Sequence, residues 1–295
     1  MTLTSQEQAR LRLEIFAELE LLVDSRGGFA TYRELLNFEI EGRQLKLIDA
    51  SRGIRNPVEF DSTLSIVSSY DGPYDDHIGP DGILRYAFRK GDPIGGDNRK
   101  LRVAMNSRTP IILFEKPMPS IYVPIMPAFV IAEDLDSRFF LIATDEAVWR
   151  AYESGGANID KRYVSQVVKR RVHQPVFRAR VIIAYDRTCA VCRLAHPELL
   201  DAAHIIADSD AAGAAHVTNG LALCKIHHAA YDRNLIGISP DYIVEVDKDL
   251  LLEVDGPMLK YGIQAMHGTK LTLPVRRADW PSRDSLDARY ASFRS

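Results

Sequence analysis

Only three of the 295 residues are cysteines, no apolar run approaches membrane-spanning length, and neither sign of charge prevails. Each scarcity excludes something. Three cysteines cannot close into a set of disulfides, so the chain does not read as a stapled secreted scaffold. A bilayer-crossing helix needs about 18 consecutive apolar residues, and the N-terminus is charged and amphipathic rather than a signal peptide. The expectation is a soluble cytoplasmic protein with no membrane partner. With 37 Lys and Arg against 40 Asp and Glu, the net charge is −3, which excludes a uniformly basic coat for nucleic acid. Repeats and low-complexity tracts are lacking as well.

What is present is a 46% apolar chain long enough for two ordinary domains. Its charge is uneven. From Lys161 to Arg193, nine Lys or Arg face one acid, Asp186, for a local charge of about +8. Such a stretch is either a solvated helix face or a phosphate-holding strip. All three cysteines fall between Cys189 and Cys224, and that clustering points to metal.

Residues 5–24 carry Leu11, Ile15, Leu19 and Leu22 at helical spacing, and Ser25-Arg-Gly-Gly28 stops the helix. Residues 31–38 read as a short helix capped by Thr31, and 43–49 alternate like a strand. Together these predict either a small winged-helix-like unit or a helical appendage packed on the next domain. From Asp61 to Thr144, six short runs rich in β-branched and aromatic residues alternate with Gly, Pro and Asp turns, predicting a compact barrel or strongly curved sheet. Two long polar loops, 70–82 and 89–100, interrupt it, and such loops are where binding usually resides. Residues 145–185 read as helical with a break at 154–160. The tail predicts a strand at 243–246, a helix at 256–266, a β-like 270–274 and a last helix at 285–293. The expected domains are 1–60, 61–150 and 160–295.

Cys189-Ala-Val-Cys192 and Cys224-Lys-Ile-His227 are two C-x2-C/H knuckles separated by 31 residues. Each sets two ligands on a tight turn, and two knuckles complete a tetrahedron around Zn²⁺. With all four positions taken by protein, the site is structural.

Between and around the knuckles lie Asp201-Ala-Ala-His204-Ile, Asn219-Gly-Leu-Ala-Leu-Cys224 and His227-His-Ala-Ala-Tyr-Asp232. This constellation resembles the HNH (ββα-metal) endonuclease family in its zinc-knuckled bacterial form, over most of 173–275. The resemblance implies a β-hairpin and helix in which His204 is the general base, suited by a pKa near neutrality. Asn219 then braces the base's loop, and His228 binds a catalytic Mg²⁺ or Mn²⁺. The position before the base is Ala203 where many members carry a ligand, so Asp201 becomes the second ligand expected for the cation. Asp232 reads as a helix-end hydrogen bond, or else a brace of the metal shell. Helix geometry turns His228 about 100° from His227, so one ligand faces each metal.

The β-rich half is similar to SRA (YDG) domains, which bind modified cytosine, through Tyr74-Asp-Asp76, Asp81-Gly82, Tyr86 and Gly96-Asp-Asn-Arg-Lys100. That likeness implies a flipped base held between Tyr74 and Tyr86, with Asp76 accepting from its amine, and Arg89, Arg99 and Lys100 on the DNA backbone. The prolines of the first loop and Ala87-Phe88 after the second Tyr depart from the family pattern.

The sequence therefore predicts an α+β protein: an N-terminal helical segment, an SRA/PUA-like curved β-barrel and a C-terminal HNH domain with structural zinc. Its expected function is modification-dependent restriction of double-stranded DNA carrying 5-methylcytosine or a similar base. The alternative is an HNH nickase or a repair or restriction nuclease recognising unmodified DNA or another modification. One HNH site cuts one strand, so a double-strand break implies a homodimer.

Overall fold

The computed structural model describes residues 3–49, 51–69, 76–79, 83–154, 166–167, 169–210 and 213–295. Two compact units emerge: Met1–Val23 with Gly28–Val176, and Asp24–Gly27 with Phe177–Ser295. The architecture is α+β, with an N-terminal helix, a large sheet and a C-terminal hairpin-and-helix region.

In the first unit, α1 (Ser5–Arg26) turns Leu11, Ile15, Leu19 and Val23 inward. The next segment, β1 (Ala30–Thr31), leads into α2 (Tyr32–Leu36), where Thr31 and Glu34 form a reciprocal capping box. The remaining strands are β2 (Glu39–Ile40), β3 (Arg43–Gln44), β4 (Ile54–Arg55), β5 (Ser65–Ser68), β6 (His77–Ile78), β7 (Leu84–Ala87), β8 (Ile111–Met118), β9 (Ile121–Asp134) and β10 (Phe139–Ala143). An eight-stranded sheet runs β4-β5-β8-β9-β10-β7-β6, with β1 added on β9. Both faces are covered, which explains the unbroken apolar run in β8. Its Ile112 and Phe114 join the core under α1, while Ile111 and Leu113 join the core that includes Leu101 and Ala104 of α3 (Gly96–Asn106) and Val148 of α4 (Glu146–Glu153).

Several expectations are corrected here. The N-terminal 60 residues are no separate winged-helix-like domain, because β1 pairs with β9 and β4 with β5. Arg12 seals that junction. Only 2% exposed, it lies over the Phe60 ring and donates to the Ser62 hydroxyl and the Pro110 carbonyl. Burial lowers its pKa to about 10. Only Arg43–Gln44 of the 43–49 run is strand; Leu45, Leu47 and Ile48 are buried without a ladder. Two of the six expected strands are one, since β9 continues through Pro124 and Pro127. The polar loop expected at 89–100 ends in a helix: Gly96 opens α3.

In the second unit, α5 (Gln174–Ala184, its first turn in the preceding unit) precedes the knuckle Cys189–Cys192. The hairpin is β11 (Leu200–His204) against β12 (Gly220–Cys224), and α6 (Lys225–Asp232) follows without a break. A second hairpin, β13 (Ile236–Ile238) with β14 (Val244–Val246), precedes α7 (Lys248–Leu252), a helical turn over Met258–Met266, and α8 (Arg283–Arg294). The β-like 270–274 contributes a single bridge, Lys270 to Ile243. The compact part of this unit starts at Phe177; the expected boundary at 160 lies outside the described residues. Among the described residues no helix is long and apolar enough to cross a membrane.

Candidate functional site

The ββα segment gathers the chemistry. Cys189, Cys192, Cys224 and His227 bring their ligand atoms within 4.8 Å of one another. His227 Nδ1 is 3.2 Å from Cys224 Sγ and 3.6 Å from Cys189 Sγ, and Cys192 Sγ is 4.0 Å from Cys224 Sγ. A tetrahedral ion at about 2.3 Å from sulfur and about 2.0 Å from nitrogen separates its ligand atoms by roughly 3.5–3.8 Å. The donor set therefore fits Zn²⁺ in spacing and in softness. His227 Nε2–H donates to the Gly262 carbonyl at 2.8 Å, which fixes the tautomer and leaves the Nδ1 lone pair facing the thiolates, free to ligate an ion. Among the described residues this is the one group of three or more His, Cys, Asp or Glu converging on a point.

His204 closes β11, directly across the ladder from Gly220. The imidazole is half-buried and stacks on Phe177, with centroids 4.0 Å apart and planes 19° apart. Asn219, buried at 6% exposure, accepts from Ile206 N–H at 2.9 Å and donates to the carbonyls of Ile206 (3.0 Å) and Ala214 (3.2 Å). Its own carbonyl accepts from Ile205 N–H. This amide clamps the chain immediately after His204.

His228 lies between two carboxylates. Nδ1 is 3.3 Å from Asp201 Oδ2, and Nε2 is 3.4 Å from Asp232 Oδ2 one helical turn on. Asp201 also accepts from Lys225 Nζ at 2.6 Å and has Arg178 Nε at 3.9 Å. The His228 hydrogen bond, with Lys225 behind it, holds the Asp201 carboxyl down to about 2. In return Asp201 raises the His228 pKa, against burial and with help from Asp232. Asp201, expected as a cation ligand, contacts the Nδ1 side of the His228 ring. The open side of the imidazole is Nε2, beside the 60% exposed Asp232. Adjacent ligand atoms around an octahedral Mg²⁺ at about 2.1 Å stand roughly 3 Å apart, so the Nε2 and Asp232 pair fits such an ion. The i, i+4 spacing of His228 and Asp232 was the available signal for it.

Residues 189–239 match the HNH endonuclease family.

The HNH region therefore spans both knuckles, the hairpin and α6. No curated protein matches the chain. Among solved structures, a modification-dependent TagI restriction endonuclease is similar at 16% identity, covering 83% of this chain and 86% of that chain, with a TM-score of 0.30. The SRA domain of SUVH5, complexed with hemimethylated CG DNA, is similar at 19% identity over 33% of this chain and 75% of that chain, with a TM-score of 0.27. Its complex with methylated CHH DNA gives 19%, 38%, 79% and 0.26.

Outside the HNH region, only some of the residues expected to read a base are among those described. Tyr74 lies outside the described residues, as do Asp81 and Gly82. Tyr86 is a core residue at 5% exposure, its hydroxyl donating to the Gly53 carbonyl at 3.0 Å. That burial does not support its expected role as a stacking platform. Asp76 accepts from Ala87 N–H at 2.9 Å. Arg89 is paired with Asp97, and Lys100 donates to the Phe60 carbonyl at 2.6 Å. Those two cations have internal partners, whereas Arg99 is exposed on α3.

Proposed function

We propose that the chain is a metal-dependent DNA endonuclease of the modification-dependent restriction kind. The observation that carries the nuclease reading is the joining of His204, Asn219 and His228 on one hairpin-and-helix unit matched to the HNH family, beside a Cys3His centre. His204 takes the proton of the attacking water, and the Asn219 clamp fixes the loop from which it acts. His228, through Nε2, and Asp232 hold the divalent cation. Asp201 fixes the His228 ring as a carboxylate behind a metal-bound imidazole does. When bound, the cation neutralises the scissile phosphate and stabilises the departing 3′ oxygen. His204→Ala in the full chain is expected to abolish cleavage of plasmid in Mg²⁺ or Mn²⁺, with zinc content and DNA binding unchanged; residual cleavage at the wild-type rate would overturn the role of base.

Reading of modified cytosine is assigned to the first unit. Its support is the sequence likeness around Tyr74-Asp-Asp76 and Gly96–Lys100. With Tyr86 in the core, the stacking faces must come from elsewhere, Tyr74 among them. Cytosine-methylated plasmid is expected to be cut at least ten times faster than unmethylated plasmid, a tenfold preference being about 1.4 kcal/mol. Equal rates would assign the unit to unmodified DNA.

A further inference from the structure

We propose that Phe177 is a positioning residue for the general base His204; the inference rests on the nuclease reading of that histidine. Phe177 lies on α5, 27 residues before His204 and outside the matched 189–239 span. It is 2% exposed, and its ring lies parallel to the imidazole at a centroid distance of 4.0 Å. A histidine at a strand end has two free side-chain torsions, and χ2 is broad because it joins sp³ to sp² carbon. Stacking on an immobile ring removes that breadth. The stack also covers one face of the imidazole.

Gly220 makes the stack sterically available. A Cβ there would fall 2.9 Å from Phe177 Cζ and still closer to Val181 Cγ2. The missing side chain opposite His204 therefore lets α5 settle onto the hairpin at the point where the imidazole needs a backing. Asn219, the adjacent residue, clamps the backbone that leaves His204. The base is held from two directions: its chain by an amide, its ring by a phenyl group. A misplacement of 1 Å in such a group costs up to about 100-fold in rate.

The test uses the full zinc-loaded chain. In wild type, the His204 imidazole protons, assigned by their loss in His204→Gln, are expected upfield of an unstacked histidine because they lie over the phenyl ring. Ordinary positions would overturn the proposal without any variant. Phe177→Leu and the volume-conserving Phe177→Met are expected to move those protons to ordinary positions. Each is expected to lower kcat about 10- to 100-fold with KM for DNA and zinc content unchanged. Unchanged kcat in a folded variant, or a loss confined to KM, would overturn the positioning role. If wild type cuts no DNA under any condition, the nuclease reading fails, and the proton shifts report the stack independently.

Discussion

The pairing of His228 with Asp201 has a measurable consequence of definite sign. Asp201 raises the folded-state pKa of His228, so their interaction contributes stability that is complete below the unfolded value of about 6.5 and is lost as pH rises through the folded value. Asp201→Asn should therefore lower the His228 pKa in an NMR titration. It should also destabilise the protein more at about pH 6 than at about pH 9, as read by thermal melts. Part of the loss should persist at the higher pH, because Asp201 also holds Lys225 at 2.6 Å. A destabilisation independent of pH would remove the imidazolium from the explanation. The same linkage sets proton against cation at His228, so divalent-ion affinity should rise with pH across that titration. Asp232→Asn should weaken that affinity about tenfold or more, as ligand-shell changes do, and isothermal titration would read it.

Two elements depend on single residues. Gly220 in β12 admits Phe177 and Val181 against the hairpin. Gly220→Ala overpacks that contact, and overpacking typically costs about 1–3 kcal/mol. Denaturant unfolding should show that loss in the second unit. At the other end, α2 has only five residues and leans on its capping box. Thr31→Ala should cost about 1 kcal/mol, within the unfolding transition of the first unit. How legible the elements were followed the number of consecutive residues that shared one pattern. Leu11, Ile15 and Leu19 gave α1 its inward stripe, and the glycines after Arg26 its end. Helix α3 was illegible because Gly95-Gly96-Asp97-Asn98 has turn composition. Its helicity comes from burying Leu101 and Ala104 against the sheet, which outweighs propensity.

At the scale of the molecule, the Cys3His cluster joins the knuckle before β11 to the start of α6, so an ion bound there would couple metal binding to folding of the second unit. Removing the ion with a strong chelator is expected to abolish the cooperative unfolding transition of residues 177–295. The eight-stranded unit should retain its own, and calorimetry with and without zinc would show two transitions reducing to one. Loss of both together would contradict the division into two units.

By itself the sequence determined the Cys189, Cys192, Cys224 and His227 cluster and the match to the HNH family. Knuckle spacing, the His204 and Asn219 segments and the doubled histidine are local patterns, and metal ligation and hairpin formation act over a few residues at a time. Tertiary structure alone decided that residues 1–60 complete the first unit's sheet, that Tyr86 belongs to the core, that Asp201 contacts His228, and that Phe177 backs His204. Those outcomes depend on which groups meet after residues far apart in the chain have packed. No single stretch of sequence carries that information.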